Sequence, residues 1–271
     1  MFSFCAVGDW GYPTLIRKNI ATVIQNMISN NFIIFLGDNF YPSGVQSTRD
    51  KQWSQYEQDF GNIPSYAVLG NHDYLKDPFA QIMYTSVSIN WNVPFFFYDA
   101  IYDDCQIFFI DTMVLAPTVT KILTEIMDQS FDQYTTLFQN LKQQQIEWLE
   151  QKLQSCTTKW KIVCGHYPIY SGGYHGDTTE LLSSLLPILE RHKIDVYICG
   201  HDHSMQHIIR NNINYYVAGS GSEITGCRDI PGTKYYNSVG GFVNITIDKN
   251  NLTSNFIDDH GNILYQHILI K

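Results

Sequence analysis

The 271-residue chain has no C-x-x-C pair, no apolar run of bilayer-spanning length and no Lys/Arg cluster. Each absence removes a class of protein. Without paired cysteines, Cys5, Cys105, Cys156, Cys164, Cys199 and Cys227 do not read as a structural zinc site. Cys5, Cys164 and Cys199 lie inside apolar runs and read as buried thiols. A spanning helix needs about 20 consecutive apolar residues, and none is present. Basic residues are outnumbered, 17 against 26, giving a net charge of −9. That balance speaks against binding nucleic acid by phosphate neutralisation and against docking on anionic membranes. Linkers rich in Pro, Gly or Ser and internal repeats are also missing. A single domain over residues 1–271, acting as a monomer, is the expectation. Met1–Val7 has no basic n-region, so the chain is expected to be cytosolic or trimmed of a leader. Of two sequons, Asn244 sits in a strand pattern and Asn251 in a turn, so only Asn251 is a glycan candidate.

What is present is an alternation of short apolar runs and amphipathic stretches. Strands are predicted at 2–7, 32–36, 66–69, 107–110, 161–164, 196–199 and 215–218. Helices are predicted at 14–29, behind Pro13, at 143–153, and at 179–193 with a break near Pro187. After Gly240-Gly241 the pattern becomes a meander of strands at 242–247, 252–257 and 263–270. The polar stretch 116–140 reads as an excursion over the site. The whole is an α/β layered fold.

Five strand candidates end alike, in Gly and then a potential metal ligand: Gly8-Asp9, Gly37-Asp38, Gly70-Asn71-His72, Gly165-His166 and Gly200-His201-Asp202-His203. In open α/β sheets, ligands bind beyond the carboxyl ends of strands. Five loops scattered in sequence would therefore converge. Asp, Asn and His are donors for a metal pair that prefers oxygen and nitrogen. Taken singly, Gly-Asp is a turn signal and Asn-His a capping pair. The ordered set is far more specific than any member.

Gly8-Asp9-Trp10-Gly11, Gly37-Asp38-Asn39-Phe40-Tyr41, Gly70-Asn71-His72-Asp73, Gly165-His166-Tyr167-Pro168 and Gly200-His201-Asp202-His203 resemble the motifs of the metallophosphoesterases. The resemblance is nearest to purple acid phosphatases of the small, tartrate-resistant type, and runs from Phe4 to about Ile247. Many metallophosphoesterases begin with Asp-x-His, whose His is a ligand; here that place holds Gly11. Tyr41 follows Asp38 at the spacing from which purple acid phosphatases supply a tyrosinate instead, a hard donor suited to ferric iron.

The resemblance implies a four-layer α-β-β-α sandwich of two mixed sheets. It implies Asp9, Tyr41 and His203 on Fe(III), Asn71, His166 and His201 on a divalent metal (Fe or Zn, with Mn as a further choice), and Asp38 bridging. His72 and His175 would lie beyond the metals, against the phosphate or the leaving group. The implied activity is hydrolysis of phosphate monoesters, small or on a phosphoprotein, in a secreted, lysosomal or vacuolar setting. Formal charges of about +5 on the metals against about −3 from Asp9, Asp38 and Tyr41 would leave a positive site in an acidic protein. A trivalent ion acidifies water more than zinc, which already brings it to about pH 7, so an acidic optimum is expected. His192, His207, His260 and His267 read as solvated or packing residues, and Asp111 as a structural hydrogen-bonding group. The competing readings are a phosphodiesterase or phosphoprotein phosphatase of the same superfamily, and a scaffold that kept the fold without activity.

Overall fold

The computed structural model describes residues 1–27, 31–118 and 135–271. Among these, fourteen strands form two seven-stranded sheets. The first contains β1 (Phe2–Val7), β2 (Phe32–Leu36), β3 (Ser65–Val68), β4 (Trp91–Asn92), β12 (Gly241–Ile247), β13 (Asn251–Asp258) and β14 (Ile263–Ile270). The second contains β5 (Tyr98–Tyr102), β6 (Cys105–Phe109), β7 (Trp160–Cys164), β8 (Val196–Cys199), β9 (Met205–Arg210), β10 (Ile213–Ala218) and β11 (Thr233–Asn237). The spatial orders are β14-β13-β12-β1-β2-β3-β4 and β11-β9-β10-β8-β7-β6-β5. Both sheets are mixed. β1, β2 and β3 run parallel, as do β6, β7 and β8, while β12 to β14 add the antiparallel meander.

Alternation along the second sheet explains the layers. Ile107, Phe109, Ile162, Cys164, Val196 and Ile198 face the first sheet and share its core with Phe4, Phe35 and Phe256. Their neighbours Phe108, Val163, Tyr197 and Cys199 face outward into a second core. Helices cover it: Thr112–Leu115, Thr135–Ser155, Thr179–Ser184 and Leu186–Arg191. Strands buried on both faces read as continuous apolar runs, which is why they were legible. On the other side, α1 (Leu15–Asn26) packs Ile20, Ala21 and Ile24 against the first sheet. Thr14 caps it, its hydroxyl accepting from the Arg17 N–H.

The predicted elements recur with shifted ends. The 179–193 helix is split at Leu185, ahead of Pro187, where the ring forbids a regular helical hydrogen bond. The long helix is already present at Thr135, well before the predicted start at 143. Most of the 116–140 excursion and the end of the predicted 14–29 helix lie outside the described residues. Asn251 is the first residue of β13 and not a turn residue; its amide donates to Asp248 at 3.2 Å. Asp111 caps the Thr112–Leu115 helix, accepting from Met113 N at 2.8 Å, which is the structural role expected of it. No helix among the described residues is long and apolar enough to cross a membrane.

His207 is a packing residue, fully buried on β9 against Tyr216, Phe256 and His267. Burial pulls its pKa down to about 3. The unfolded chain therefore takes up a proton that the folded one refuses. The contribution of His207 to stability is constant above about pH 6.5 and falls as the pH drops from there toward about 3, by up to about 1.4 kcal/mol per pH unit. Denaturant unfolding should show a flatter acid limb in His207→Gln than in the wild type; parallel limbs would contradict this.

Candidate metal centre

The five ligand-bearing loops leave the carboxyl ends of parallel strands, β1, β2 and β3 in one sheet and β7 and β8 in the other. The site therefore lies on the seam between sheets. Three of the candidate ligands sit in the left-handed backbone region: Asp9 at φ 58°, Asp38 at 51° and His201 at 68°. Side chains seldom adopt that region, at a cost of about 1–3 kcal/mol each, and such strain concentrates at functional sites. The glycines ahead of the ligands have a steric reason. A Cβ on Gly70 would stand 2.1 Å from Asp38 Oδ1, and one on Gly200 would stand 2.4 Å from Asp9 Oδ2. At these two strand ends the missing side chain leaves space that a carboxylate from another loop fills.

The structure brings the predicted residues into two donor groups that share Asp38. In the first, Tyr41 Oη lies 3.0 Å from Asp9 Oδ1, 2.9 Å from Asp38 Oδ2 and 3.2 Å from His203 Nε2. His203 Nε2 is 3.4 Å from Asp9 Oδ1. In the second, His166 Nε2 lies 3.1 Å from Asn71 Oδ1 and 3.6 Å from Asp38 Oδ1. Oδ2 of Asp38 thus faces one group and Oδ1 the other. Asp9, Asp38 and His166 offer atoms within 4.8 Å of one another, all three buried. The His201 ring is 5.1 Å from that of His166.

This set fits a pair of metal ions. Ligands about 2.0–2.2 Å from a cation, at tetrahedral or octahedral angles, lie roughly 3.0–3.5 Å apart, close to the spacings here. The tautomers also suit. His166 Nδ1 is 2.8 Å from the Leu36 carbonyl, which can only accept, so the ring proton sits there and the Nε2 lone pair points into the space it shares with the Asn71 and Asp38 oxygens. His72 Nδ1 donates likewise to the Pro42 carbonyl at 2.6 Å, leaving Nε2 3.9 Å from Asp38 Oδ2. His175 stacks its ring on His201 at 4.1 Å. His72 therefore stands beside Asp38 and Tyr41, and His175 beside His201.

Charge sorts the donors. Burial would raise the Asp38 carboxyl, but the imidazoles of His166 and His72 hold it below its ordinary value. Burial, and then the negative charges of Asp38 and Asp9, push the Tyr41 hydroxyl far up. Burial, with the neighbouring His166 and His175, drives His201 well down, so its ring is neutral and able to ligate. Burial lowers His203, but its bond to Asp9 and the surrounding carboxylates outweigh this and lift it to about 9.

Several supports were not singled out in the sequence. Asp73 accepts from Asn39 N (3.1 Å), Phe40 N (3.3 Å) and Gly70 N (2.8 Å), clamping the loop of Asp38 and Tyr41 to that of Asn71 and His72. Asn39 adds an acceptor for Trp10 Nε1 at 3.0 Å. Asp202, between His201 and His203, turns away from the donor groups. It accepts from His175 N at 2.8 Å and from the Ser171 hydroxyl, which holds the loop of His175. Their only signal was a polar residue beside a ligand in a motif otherwise explained.

Gly11 is packed against the loop of Tyr41. A Cβ there would lie 2.6 Å from Tyr41 N and 2.8 Å from Phe40 Cα. A side chain at position 11 and this placement of Tyr41 are mutually exclusive.

The profile of the calcineurin-like phosphoesterase family matches residues 2–205. The chain is 32% identical over 298 residues to the Homo sapiens tartrate-resistant acid phosphatase type 5, covering 97% of this chain and 89% of the relative. It is 34% identical over 289 residues to purple acid phosphatase 4 of Arabidopsis thaliana, with 97% and 82% covered. Among solved structures it is similar to GAP50, the anchor in the inner membrane complex of Plasmodium. The TM-score is 0.83 at 27% identity, over 100% of this chain and 89% of that one.

The crowding at Gly11 is directly testable. Gly11→Ala should cost about 1–3 kcal/mol through overpacking. Gly226→Ala, where a Cβ would meet nothing within 4 Å, should cost far less. Equal denaturation midpoints for the two variants would show that the Tyr41 loop is free to move aside.

Proposed function

The chain belongs to the calcineurin-like phosphoesterase family, in its tartrate-resistant and purple acid phosphatase branch, and on that premise we propose that it is an acid phosphatase hydrolysing phosphate monoesters at a dinuclear centre. Asp9, Tyr41 and His203 would hold Fe(III). Asn71, His166 and His201 would hold a divalent Fe, Zn or Mn ion. Asp38 would serve both. The observation that carries this reading is the division of the Asp38 carboxylate, Oδ2 at 2.9 Å from Tyr41 and Oδ1 at 3.6 Å from His166 Nε2.

When bound, the two cations neutralise the phosphate and lower the pKa of the attacking water. The protein's own residues do the rest. Against a trivalent cation Tyr41 would be a phenolate, supplying the third negative charge beside Asp9 and Asp38. His201 stays a neutral donor because it is buried, and His166 is oriented by the Leu36 carbonyl. His72 is fixed through Nδ1, so its Nε2 edge faces the site and, carrying a second proton, would donate to a phosphate oxygen. His175, held by Asp202, would protonate the departing alkoxide; burial pulls its pKa down, and the Asp202 charge opposes that. Water attacks phosphorus directly, and no side chain is phosphorylated.

A second reading, an anchoring protein without turnover, is favoured by the likeness to the Plasmodium anchor. Six donors at metal-ligand spacing, with the His201 ring beside them, weigh against it. The two readings separate on metal content and turnover together. Asp38→Asn should lose both metals by elemental analysis, because one bridging charge serves two cations; normal content of both would contradict the assignment. His72→Ala should keep both metals while turnover of p-nitrophenyl phosphate falls about 100-fold. Loss of metal in that variant would make His72 a ligand. Metal-loaded wild type inactive on every ester would favour the anchor.

A further inference from the structure

Tyr12 and Glu223 stand beside the first donor group, and nothing in the proposed reaction uses them. Tyr12 lies flat on Tyr41, with ring centroids 4.2 Å apart and planes 2° from parallel. It is half-buried, and no other ring packs on it among the described residues. Ser222 ties this wall together. It accepts from Tyr12 N at 3.4 Å, takes Thr14 Oγ1 on its carbonyl at 2.8 Å, and donates to the Asp9 carbonyl at 2.5 Å. The next residue, Glu223, is thereby held at the rim, its carboxylate 3.8 Å from His203 Nδ1 and 51% exposed. Among the described residues that histidine is its one ionic neighbour; no Lys or Arg pairs with it.

Glu223 is half-exposed, so its carboxylate also faces solvent at the rim of the first donor group. A substrate whose phosphate occupied the metals would meet, along its alcohol, an aromatic face and then a carboxylate. That is the chemistry that recognises an alkylammonium group. Resting on the phosphatase reading above, we propose that the site selects phosphate monoesters whose alcohol carries an ammonium group, with Glu223 pairing with the cation and Tyr12 covering its methylenes. The same chain segment disfavours anionic alcohols by like-charge repulsion.

The test uses isosteric pairs on the metal-loaded protein. Phosphoethanolamine and propyl phosphate differ only by ammonium for methyl, as do 2-aminoethylphosphonate and propylphosphonate. Wild type should favour the ammonium member about fivefold, in kcat/KM for the esters and in calorimetric Kd for the phosphonates. In Glu223→Gln both ratios should fall to near one, and in Glu223→Lys they should invert. A wild-type ratio near one, or a ratio unchanged in Glu223→Gln, overturns this inference alone, because turnover would still support the phosphatase. Failure to turn over either ester or to bind either phosphonate, with p-nitrophenyl phosphate also left intact, overturns the phosphatase reading, and this inference with it.

Discussion

Asp38 is one buried carboxylate facing two donor groups, and the rest of the site follows from keeping it there. It sits at φ 51°, within 2.9 Å of Tyr41 Oη, with its other oxygen accepting from His72 N at 2.9 Å. Gly70 has no side chain because Asp38 occupies the space. Asp73 gathers three backbone N–H groups so that the two loops flanking that carboxylate cannot separate. Three strained backbones and several buried polar side chains would destabilise most folds by several kcal/mol. Here they are carried by two sheets whose strands are buried on both faces, rigid enough to hold donors at fixed spacing.

The exchange of a side chain at position 11 for Tyr41 is a steric matter before it is a chemical one. Gly11 admits the Tyr41 backbone to a place that a β-carbon would fill. Tyr12 then closes over the phenol ring. Sequence resemblance links the lost and the gained donor; the packing explains why they go together. It also places the phenol among Asp9, Asp38 and His203, where only a strongly charged cation would draw off its proton.

Much of this was legible because both signals were local. Strands such as Phe32–Leu36 and Val196–Cys199 are apolar throughout, and a glycine with a ligand marks where each ends. Elements with weaker patterns were not anticipated. β4 is two residues long, β9 ends in Ile209-Arg210, and β11 is polar and half-exposed. The helices Trp53–Asp59 and Phe79–Tyr84 are too short to establish a 3.6-residue period. The supporting residues were hidden for another reason. Asp73, Asp202 and Glu223 act across pairs far apart in sequence, and nothing local distinguishes a carboxylate that clamps a loop from one that binds an ion.

The central claim is that Tyr41 is an anionic ligand to ferric iron in a centre bridged by Asp38. The most direct test is the visible absorption spectrum of the oxidised, iron-loaded protein beside Tyr41→Phe. The account predicts a broad purple charge-transfer band in the wild type and its loss in the variant. An iron-loaded wild type without the band, or a band that survives in Tyr41→Phe, would contradict it.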